Sequence, residues 1–406
     1  MAGRDGTNGN RQSRNAKVRQ YGVVAGAAIG AFVAAAAMAT GSAAPAKADF
    51  EDLLDPIIQP LVTSLSDAIA GFDPAAATDL SSWTDSLLAS LNSIDLALPS
   101  TADPAAAAAA AATPDISSST ATIPLTVLED TEPAVNVSVD GGSSLPMLVD
   151  TGSSGLVIPW EDLGSTTTQQ LENLFSLGFP SSFGESGYSG GVDYIYLTYD
   201  NVPTDYGNGA LDTSGPVDVE ILSWPTSFSS PPNFETFLSD NDVSGILGIG
   251  ENAAGPTTSP LESYGGVLVD VPDGKLIVDS ANPGTALATV SGAPVANLYE
   301  SINGGTPVAV SDDVDSGGVF GTIPSSLESG SSVPSGTTIS VYDNAAGTGT
   351  PLYTYQTGDL GASGYDGPTP VTGTAIDSGV LPFLQEPIYI SYTDNMMSFD
   401  VPGSIH

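Results

Sequence analysis

Two short segments of this 406-residue chain end an apolar run with an aspartate and follow it directly with a hydroxyl residue and a glycine. Asp150 lies in "LVDTGSSGLVIP", and Asp315 lies 165 positions later in "VAVSDDVDSGGVFGTIP". The similarity extends outward, since residues 141–159 and 304–324 each run from a Gly-Gly pair through a short strand to an Ile-Pro pair. An internal repeat at this spacing predicts two related lobes that each present one aspartate on a loop.

A pair of such aspartates is suited to acid–base chemistry. Gly152 and Gly317 would let the two loops approach closely, because glycine has no side chain. The hydroxyls of Thr151 and Ser316 can then hydrogen-bond across to the opposite loop and fix both carboxyls. Two carboxyls held at this distance cannot both ionise, so they share one proton. Such a pair can act as general base and general acid on a water that attacks an amide carbonyl.

The composition excludes most other hydrolytic sites. The chain has no cysteine and one histidine, His406, which argues against thiol chemistry, a serine-type triad or a histidine metal site. The 7 basic residues against 47 acidic ones give a net charge of -40, so nucleic acid and anionic membranes should be repelled. The acidic run "SDDVDSGG" lacks the spaced ligands of a calcium loop. We therefore expect no metal and no cofactor.

At the two aspartate segments the chain resembles the pepsin-like aspartic proteases, with departures at Gly155 and Val157. The resemblance makes Asp150 and Asp315 the catalytic pair, and it implies that Ser153 hydrogen-bonds the outer oxygen of Asp150. The segment "GYSGGVDYIYLTYDNV" is similar to the family's flap hairpin. The flap tyrosine would then be Tyr188.

The same resemblance extends over roughly residues 117–406. The segment "VSGILGIG", residues 243–250, resembles the strand that threads beneath the first aspartate loop. Short β-branched and aromatic segments separated by Gly, Pro, Asn and Asp also predict an all-β fold. We expect a bilobal pepsin-like fold with lobes at 117–282 and 283–406 and a cleft between them. The whole is most similar to the aspartic protease domains attached to mycobacterial PE/PGRS-type cell-surface proteins.

Two further aspartates complicate the second lobe. Asp377 has an Asp-Ser-Gly triplet of its own, but too little chain follows it to build the rest of a lobe. Its position suits the second lobe's threading segment, so we expect Asp315 to be the partner of Asp150, with Asp377 either behind the pair or in a surface turn. Asp313 would share a strand face with Asp315 unless a bulge intervenes or the loop begins at Asp313.

The first 116 residues fall outside the resemblance. Residues 1–48 have a basic start, an Ala/Gly-rich apolar run and "AKA", which predict a cleaved signal peptide; the alternative is an uncleaved anchor. Residues 49–97 carry apolar residues at helical spacing, which predicts a helical segment. This segment would be either a docking hairpin for a partner or the cell envelope, or a spacer packed on the main domain. Residues 98–116 are an Ala/Pro-rich linker.

Two functions fit these features. The first is a secreted or cell-surface aspartic endopeptidase that acts on exported proteins or peptides, works as a monomer in mildly acidic conditions and processes itself at the linker. After signal cleavage no stable membrane span would remain. The second is a catalytically inactive pepsin-fold protein that binds peptides or surfaces. The retained Asp, hydroxyl and Gly in both loops favour the peptidase, since a binding protein does not need them.

Overall fold

The computed structural model describes residues 120–189, 191–227, 230–358 and 367–404. Within these ranges most of the regular structure is β-strand, so the all-β prediction is confirmed. The strands are β1 (Ala121–Leu128), β2 (Glu132–Val139), β3 (Leu145–Asp150), β4 (Ser154–Pro159), β5 (Ser182–Tyr188), β6 (Val192–Tyr206), β7 (Leu211–Pro225), β8 (Gly245–Ile249), β9 (Gly266–Asp270), β10 (Lys275–Val278), β11 (Ala286–Ser291), β12 (Val295–Ile302), β13 (Val308–Asp313), β14 (Thr322–Pro324), β15 (Thr338–Tyr342), β16 (Tyr353–Gln356), β17 (Thr369–Val371), β18 (Ala375–Asp377), β19 (Ile388–Ser391) and β20 (Met396–Asp400). The helices are α1 (Thr167–Ser176), α2 (Phe234–Ser239), α3 (Leu381–Gln385) and two short 3-10 helices, Trp160–Leu163 and Glu262–Tyr264.

The strands form one large sheet and two small ones. The large sheet has the order β11-β20-β19-β9-β10-β1-β2-β3-β8-β4-β7-β6-β5. A five-stranded sheet has the order β16-β15-β12-β13-β18, and β14 pairs with β17. Because β19 pairs with β9, the large sheet joins the end of the chain to the first half.

Each half of the chain repeats one local arrangement around its aspartate loop. β3 leads to the first loop and pairs in parallel with β8, with Asp150 opposite Gly248. β13 leads to the second loop and pairs in parallel with β18, with Asp313 opposite Asp377. The two-lobed pepsin-like architecture is therefore confirmed, and β18 has the place in the second lobe that β8 has in the first.

The strands around the first loop are apolar on both faces. All six residues of β4 and all five of β8 are buried. Strands in parallel pairings that are covered on both faces have continuous apolar sequences, without alternating apolar and polar residues. This burial fixes β3 and β4 in the core, so the loop between them holds Asp150 in a defined position.

The β5–β6 hairpin carries Tyr188, which is the last residue of β5 and lies opposite Val192 across the turn. β6 continues past the hairpin into a long pairing with β7. The register of that pairing shifts between Ile195 and Tyr196 and again after Tyr199. Such shifts bend a strand and increase its twist, so β6 changes direction as it leaves the hairpin.

The predicted signal peptide at 1–48, helical segment at 49–97 and linker at 98–116 lie outside the described residues. The predicted lobe boundary at 282/283 falls between β10 and β11 and stays a prediction. Within the described ranges, no helix has both the length and the apolar character needed to cross a membrane.

Candidate active site

The two aspartate loops, residues 150–153 and 315–318, pack directly against each other. A Cβ atom placed on Gly152 would lie 2.4 Å from Cγ of Asp315. A Cβ atom placed on Gly317 would lie 2.8 Å from Cγ of Asp150. Both distances are shorter than any normal contact, so each loop needs glycine opposite the other loop's carboxyl. This reciprocal requirement explains why the sequence repeats Gly two positions after each aspartate.

Four hydrogen bonds join the loops, and each one involves the hydroxyl of Thr151 or of Ser316. Thr151 donates its hydroxyl to the carbonyl oxygen of Val314 at 2.6 Å and accepts the backbone N–H of Ser316 at 2.8 Å. Ser316 donates its hydroxyl to the carbonyl oxygen of Val149 at 2.6 Å and accepts the backbone N–H of Thr151 at 3.1 Å. Both side chains are fully buried. The cross-loop contact predicted for the two hydroxyls is present in the structure.

Backbone and side-chain donors orient the two carboxyls. The N–H of Gly152 donates to Oδ1 of Asp150 at 2.9 Å and also to Oδ1 of Asp315 at 3.1 Å. The N–H of Gly317 donates to Oδ1 of Asp315 at 2.8 Å. The hydroxyl of Ser153 donates to Oδ2 of Asp150 at 2.6 Å. A single N–H shared by both carboxyls places the two groups side by side.

Burial and neighbouring negative charges raise the pKa of the carboxyl in the second loop. Burial, followed by the charge of Asp150 and then that of Asp377, raises the pKa of Asp315 well above its ordinary value. The only basic residue in the described ranges is Lys275, whose ammonium lies 3.4 Å from Asp273. Because burial and the negative charges that act on Asp315 both oppose its ionisation, its protonated form is favoured.

Tyr188 packs face to face with three aromatic rings. Its ring centroid lies 5.6 Å from Tyr194, 5.7 Å from Phe234 and 5.9 Å from Phe237, with interplanar angles of 16° or less. Burial and then Tyr194 raise its pKa well above the ordinary value; the charge of Asp150 adds to the shift. The charge of Asp150 therefore acts on the Tyr188 hydroxyl.

The aromatic partners of Tyr188 were not predicted from the sequence. Phe234 and Phe237 lie on α2, three positions apart in "NFETF", which is the spacing of neighbours on one helix face. Val157, one of the two departures from the family's first loop, belongs to the same buried cluster. The spacing in "NFETF" was the available signal, but it did not say what the two rings would contact.

The second loop begins after Asp313, because β13 ends there. The sequence left open a bulge or a loop that begins at Asp313; in the structure Asp313 is the last residue of the strand, and the loop follows it. Asp377 lies on β18 beside Asp313 and not in a surface turn. The next residue, Ser378, accepts the backbone N–H of Asp315 at 3.0 Å through its hydroxyl. Ser378 lies in the repeated Asp-Ser-Gly triplet, but its hydrogen bond to the second loop was not predicted from the sequence.

Within the described ranges, no group of three or more histidine, aspartate or glutamate side chains has an arrangement that could hold a metal ion. The expectation that no metal or cofactor takes part stays a prediction.

The two-lobed all-β fold and its paired aspartate loops define an aspartyl peptidase-like domain. Residues 121–399 match the family described as the PE-PGRS C-terminal aspartyl peptidase-like domain. The chain belongs to that family.

Curated relatives carry a name that fits this family. PE cleavage protein A of Mycobacterium tuberculosis (strain H37Rv) is 37% identical over 304 residues, which cover 70% of this chain and 52% of the relative. The protein of the same name from Mycobacterium marinum is 40% identical over 303 residues, which cover 69% of this chain and 52% of the relative. The chain thus spans about half the length of the curated relatives it matches.

Among solved structures, the aspartic proteinase from Irpex lacteus has a TM-score of 0.46 and 14% identity to this chain. The match covers 71% of this chain and 98% of that protein.

Proposed function

We propose that this chain is an exported aspartic endopeptidase, which hydrolyses peptide bonds with a water molecule held between Asp150 and Asp315. The shared N–H of Gly152, which donates to both carboxyls, is the observation that carries the proposal. It supports a site in which both groups face the same small ligand. The Thr151 and Ser316 hydrogen bonds support a rigid pair, and rigid placement is what general acid–base catalysis requires.

In the proposed mechanism Asp315 carries the shared proton, because burial and the charge of Asp150 raise its pKa. Asp150, whose oxygens accept from Ser153 and Gly152, removes a proton from the water as the water oxygen attacks the peptide carbonyl carbon. Asp315 gives its proton to the carbonyl oxygen. When the tetrahedral intermediate collapses, Asp150 returns its proton to the leaving nitrogen, Asp315 recovers one from the new hydroxyl, and the C–N bond breaks.

The hairpin that carries Tyr188 is proposed to close over an extended substrate and to exclude bulk water from the reacting atoms. Support comes from its position at the hairpin turn and from the charge of Asp150 acting on its pKa. The stacked rings of Phe234 and Phe237 would hold the tyrosine in place from one side.

The proposed substrates are exported or cell-surface proteins, and PE-type proteins are the first to test. The name of the relatives, PE cleavage protein, supports this choice. The basic, Ala/Gly-rich sequence of residues 1–48 supports export. Self-cleavage within residues 98–116 is part of the proposal, because an Ala/Pro-rich linker is a favoured site of proteolysis.

The test compares the purified full chain with Asp150→Asn and Asp315→Asn variants on casein and on a PE-type protein. Each variant keeps the shape of the side chain and removes the ionisable group, so we expect cleavage to fall by at least about a thousandfold. Asp270→Asn is the matched control. Asp270 is a buried carboxyl on β9 whose charged neighbours are Asp273 and Lys275, and this variant should keep wild-type cleavage.

Sequencing the N-terminus of the same samples tests self-processing. A new N-terminus within residues 98–116 should arise in the wild type and in Asp270→Asn, and not in Asp150→Asn. Cleavage of added substrate at the wild-type rate by Asp150→Asn would refute the peptidase proposal. No cleavage by the wild-type chain would favour a binding protein with the same fold.

A further inference from the structure

The two aspartate loops differ at their fourth residue. In the first loop this residue is Ser153, whose hydroxyl donates to Oδ2 of Asp150 at 2.6 Å. In the second loop it is Gly318, which has no side chain. The internal repeat therefore supplies a side-chain hydroxyl donor to Asp150, and residue 318 supplies none to Asp315.

The carboxyl of Asp377 fills the space that a side chain at position 318 would take. A Cβ atom placed on Gly318 would lie 2.3 Å from Oδ1, 2.7 Å from Oδ2 and 2.8 Å from Cγ of Asp377. Any larger residue at 318 would therefore collide with Asp377. The second loop therefore has no side-chain hydroxyl at this position, because the Asp377 carboxyl occupies the same space.

The backbone holds Asp377 in this position. Its Oδ1 accepts the N–H of Gly379 at 2.7 Å, and its own N–H donates to the hydroxyl of Thr322 at 2.9 Å. The N–H of Ser378 donates to the carbonyl oxygen of Asp313 at 2.9 Å, as part of the parallel pairing of β18 with β13. One oxygen of Asp377 is thus tied to the backbone of its own turn.

We propose that the protonated carboxyl of Asp377 donates to Asp315 the hydrogen bond that the Ser153 hydroxyl donates to Asp150. Asp377 is then a positioning residue of the catalytic pair, and the loss of its proton sets the upper pH limit of the reaction. This inference rests on the proposed peptidase function. A neutral carboxyl can donate one hydrogen bond, whereas a carboxylate can only accept, so the role exists only while Asp377 is protonated.

The electrostatic surroundings of Asp377 favour the protonated form under acidic conditions. Burial first, and then the charges of Asp313 and Asp150, raise the pKa of Asp377 to about 7, although the N–H of Gly379 opposes the shift. Asp312 and Asp315 also interact with it electrostatically. All the titratable groups that act on Asp377 in the described ranges are therefore acidic. Above neutral pH its ionised form would add a like charge behind Asp315.

The test uses two variants of Asp377 and one exchange, each in the full chain. Asp377→Asn keeps a donor and cannot ionise. The fall of kcat/KM on the alkaline side of its pH profile should therefore shift to higher pH by about one unit or more. Asp377→Ala removes the donor, and cleavage near pH 5 should fall by about tenfold. At that pH the asparagine variant should lose less activity than the alanine variant. The exchange G318S/D377A puts a hydroxyl in the freed space and should restore most of the activity lost by Asp377→Ala.

Asp270→Asn is the control for removing a buried carboxyl, and its alkaline limb should match that of the wild type. An unchanged limb in Asp377→Asn would overturn the proposal. So would equal losses in the two Asp377 variants with no rescue by the exchange, since that result would show a purely structural role.

A second readout does not depend on catalysis. In protein labelled with ¹³C at the aspartate carboxyls, the resonance that disappears in Asp315→Asn identifies Asp315. We expect this resonance to titrate at lower pH in Asp377→Asn than in the wild type, because a neighbouring charge has been removed. An unchanged titration would refute the coupling between the two residues. A coupled titration in a chain that cleaves no substrate would instead refute the peptidase function and leave the coupling standing.

Discussion

Replacing Thr151 with valine tests whether the cross-loop hydrogen bonds hold the two lobes together. Valine has nearly the same shape as threonine, so the change removes the hydroxyl and little else. The carbonyl oxygen of Val314 loses its donor, and the N–H of Ser316 loses its acceptor. Both groups belong to fully buried residues, so water cannot replace the missing partners without a rearrangement.

The expected cost follows from these two unpaired groups. A buried donor or acceptor left without a partner costs about 1–3 kcal/mol, so the free energy of unfolding should fall by roughly 3 kcal/mol in total. For a domain of this size each kcal/mol corresponds to about 2–4 °C in Tm, which gives a fall of about 6–12 °C. Ser316→Ala removes the two reciprocal hydrogen bonds and should cost a similar amount.

Calorimetry of the purified chain near pH 5 measures the effect. Thr126→Val is the matched control, because Thr126 is exposed on β1, and its Tm should stay within about 2 °C of the wild type. If the Tm of Thr151→Val differed from that of Thr126→Val by less than the experimental error, the cross-loop hydrogen bonds would not stabilise the fold.

Two further predictions concern buried groups near the site. Burial raises the pKa of Asp312 to about 8, so its proton stabilises the fold below the unfolded pKa of about 3.9, and this contribution is lost as pH rises through about 8. Asp312→Asn should accordingly gain stability over the wild type by up to about 1.4 kcal/mol for each pH unit in this window, and a gain that does not vary with pH in thermal unfolding would contradict it. Tyr188→Phe keeps the ring contacts with Phe234 and should retain at least about ten times more kcat/KM than Tyr188→Ala, which loses them. Equal losses in the two Tyr188 variants would assign the effect to the hydroxyl alone.

The sequence was sufficient to predict the two aspartate loops because their chemistry is local. Glycine two positions after Asp150 and after Asp315 is required by the opposing carboxyl, and the hydroxyl residues between them make the cross-loop hydrogen bonds. These requirements act on residues next to each aspartate, so they left the same pattern twice in the chain.

The rest of the fold depends on contacts between distant residues. The pairing of β9 with β19 joins Val269 to Ile388, and no local pattern in either strand specifies its partner. The same holds for Asp377, whose carboxyl fills the space beside Gly318. The sequence showed a third Asp-Ser-Gly triplet, but the pairing of β18 with β13 was needed to place it behind Asp315.

The stacking of Tyr188 on Phe234 and Phe237 could not be predicted from the sequence either. The resemblance gave the tyrosine a role, whereas its partners lie on a short helix more than forty positions further along the chain. Helix spacing indicates which side chains share a face, but it does not indicate what that face contacts.

The proposed peptidase requires Asp150 and Asp315 to act together on one ligand between them. A crystal structure of the chain bound to a statine-type peptide would show whether they do. We expect the statine hydroxyl to lie within hydrogen-bond distance of both carboxyls, with the Tyr188 hairpin folded over the peptide. A peptide bound elsewhere, or a hydroxyl that contacts only one of the two carboxyls, would contradict it.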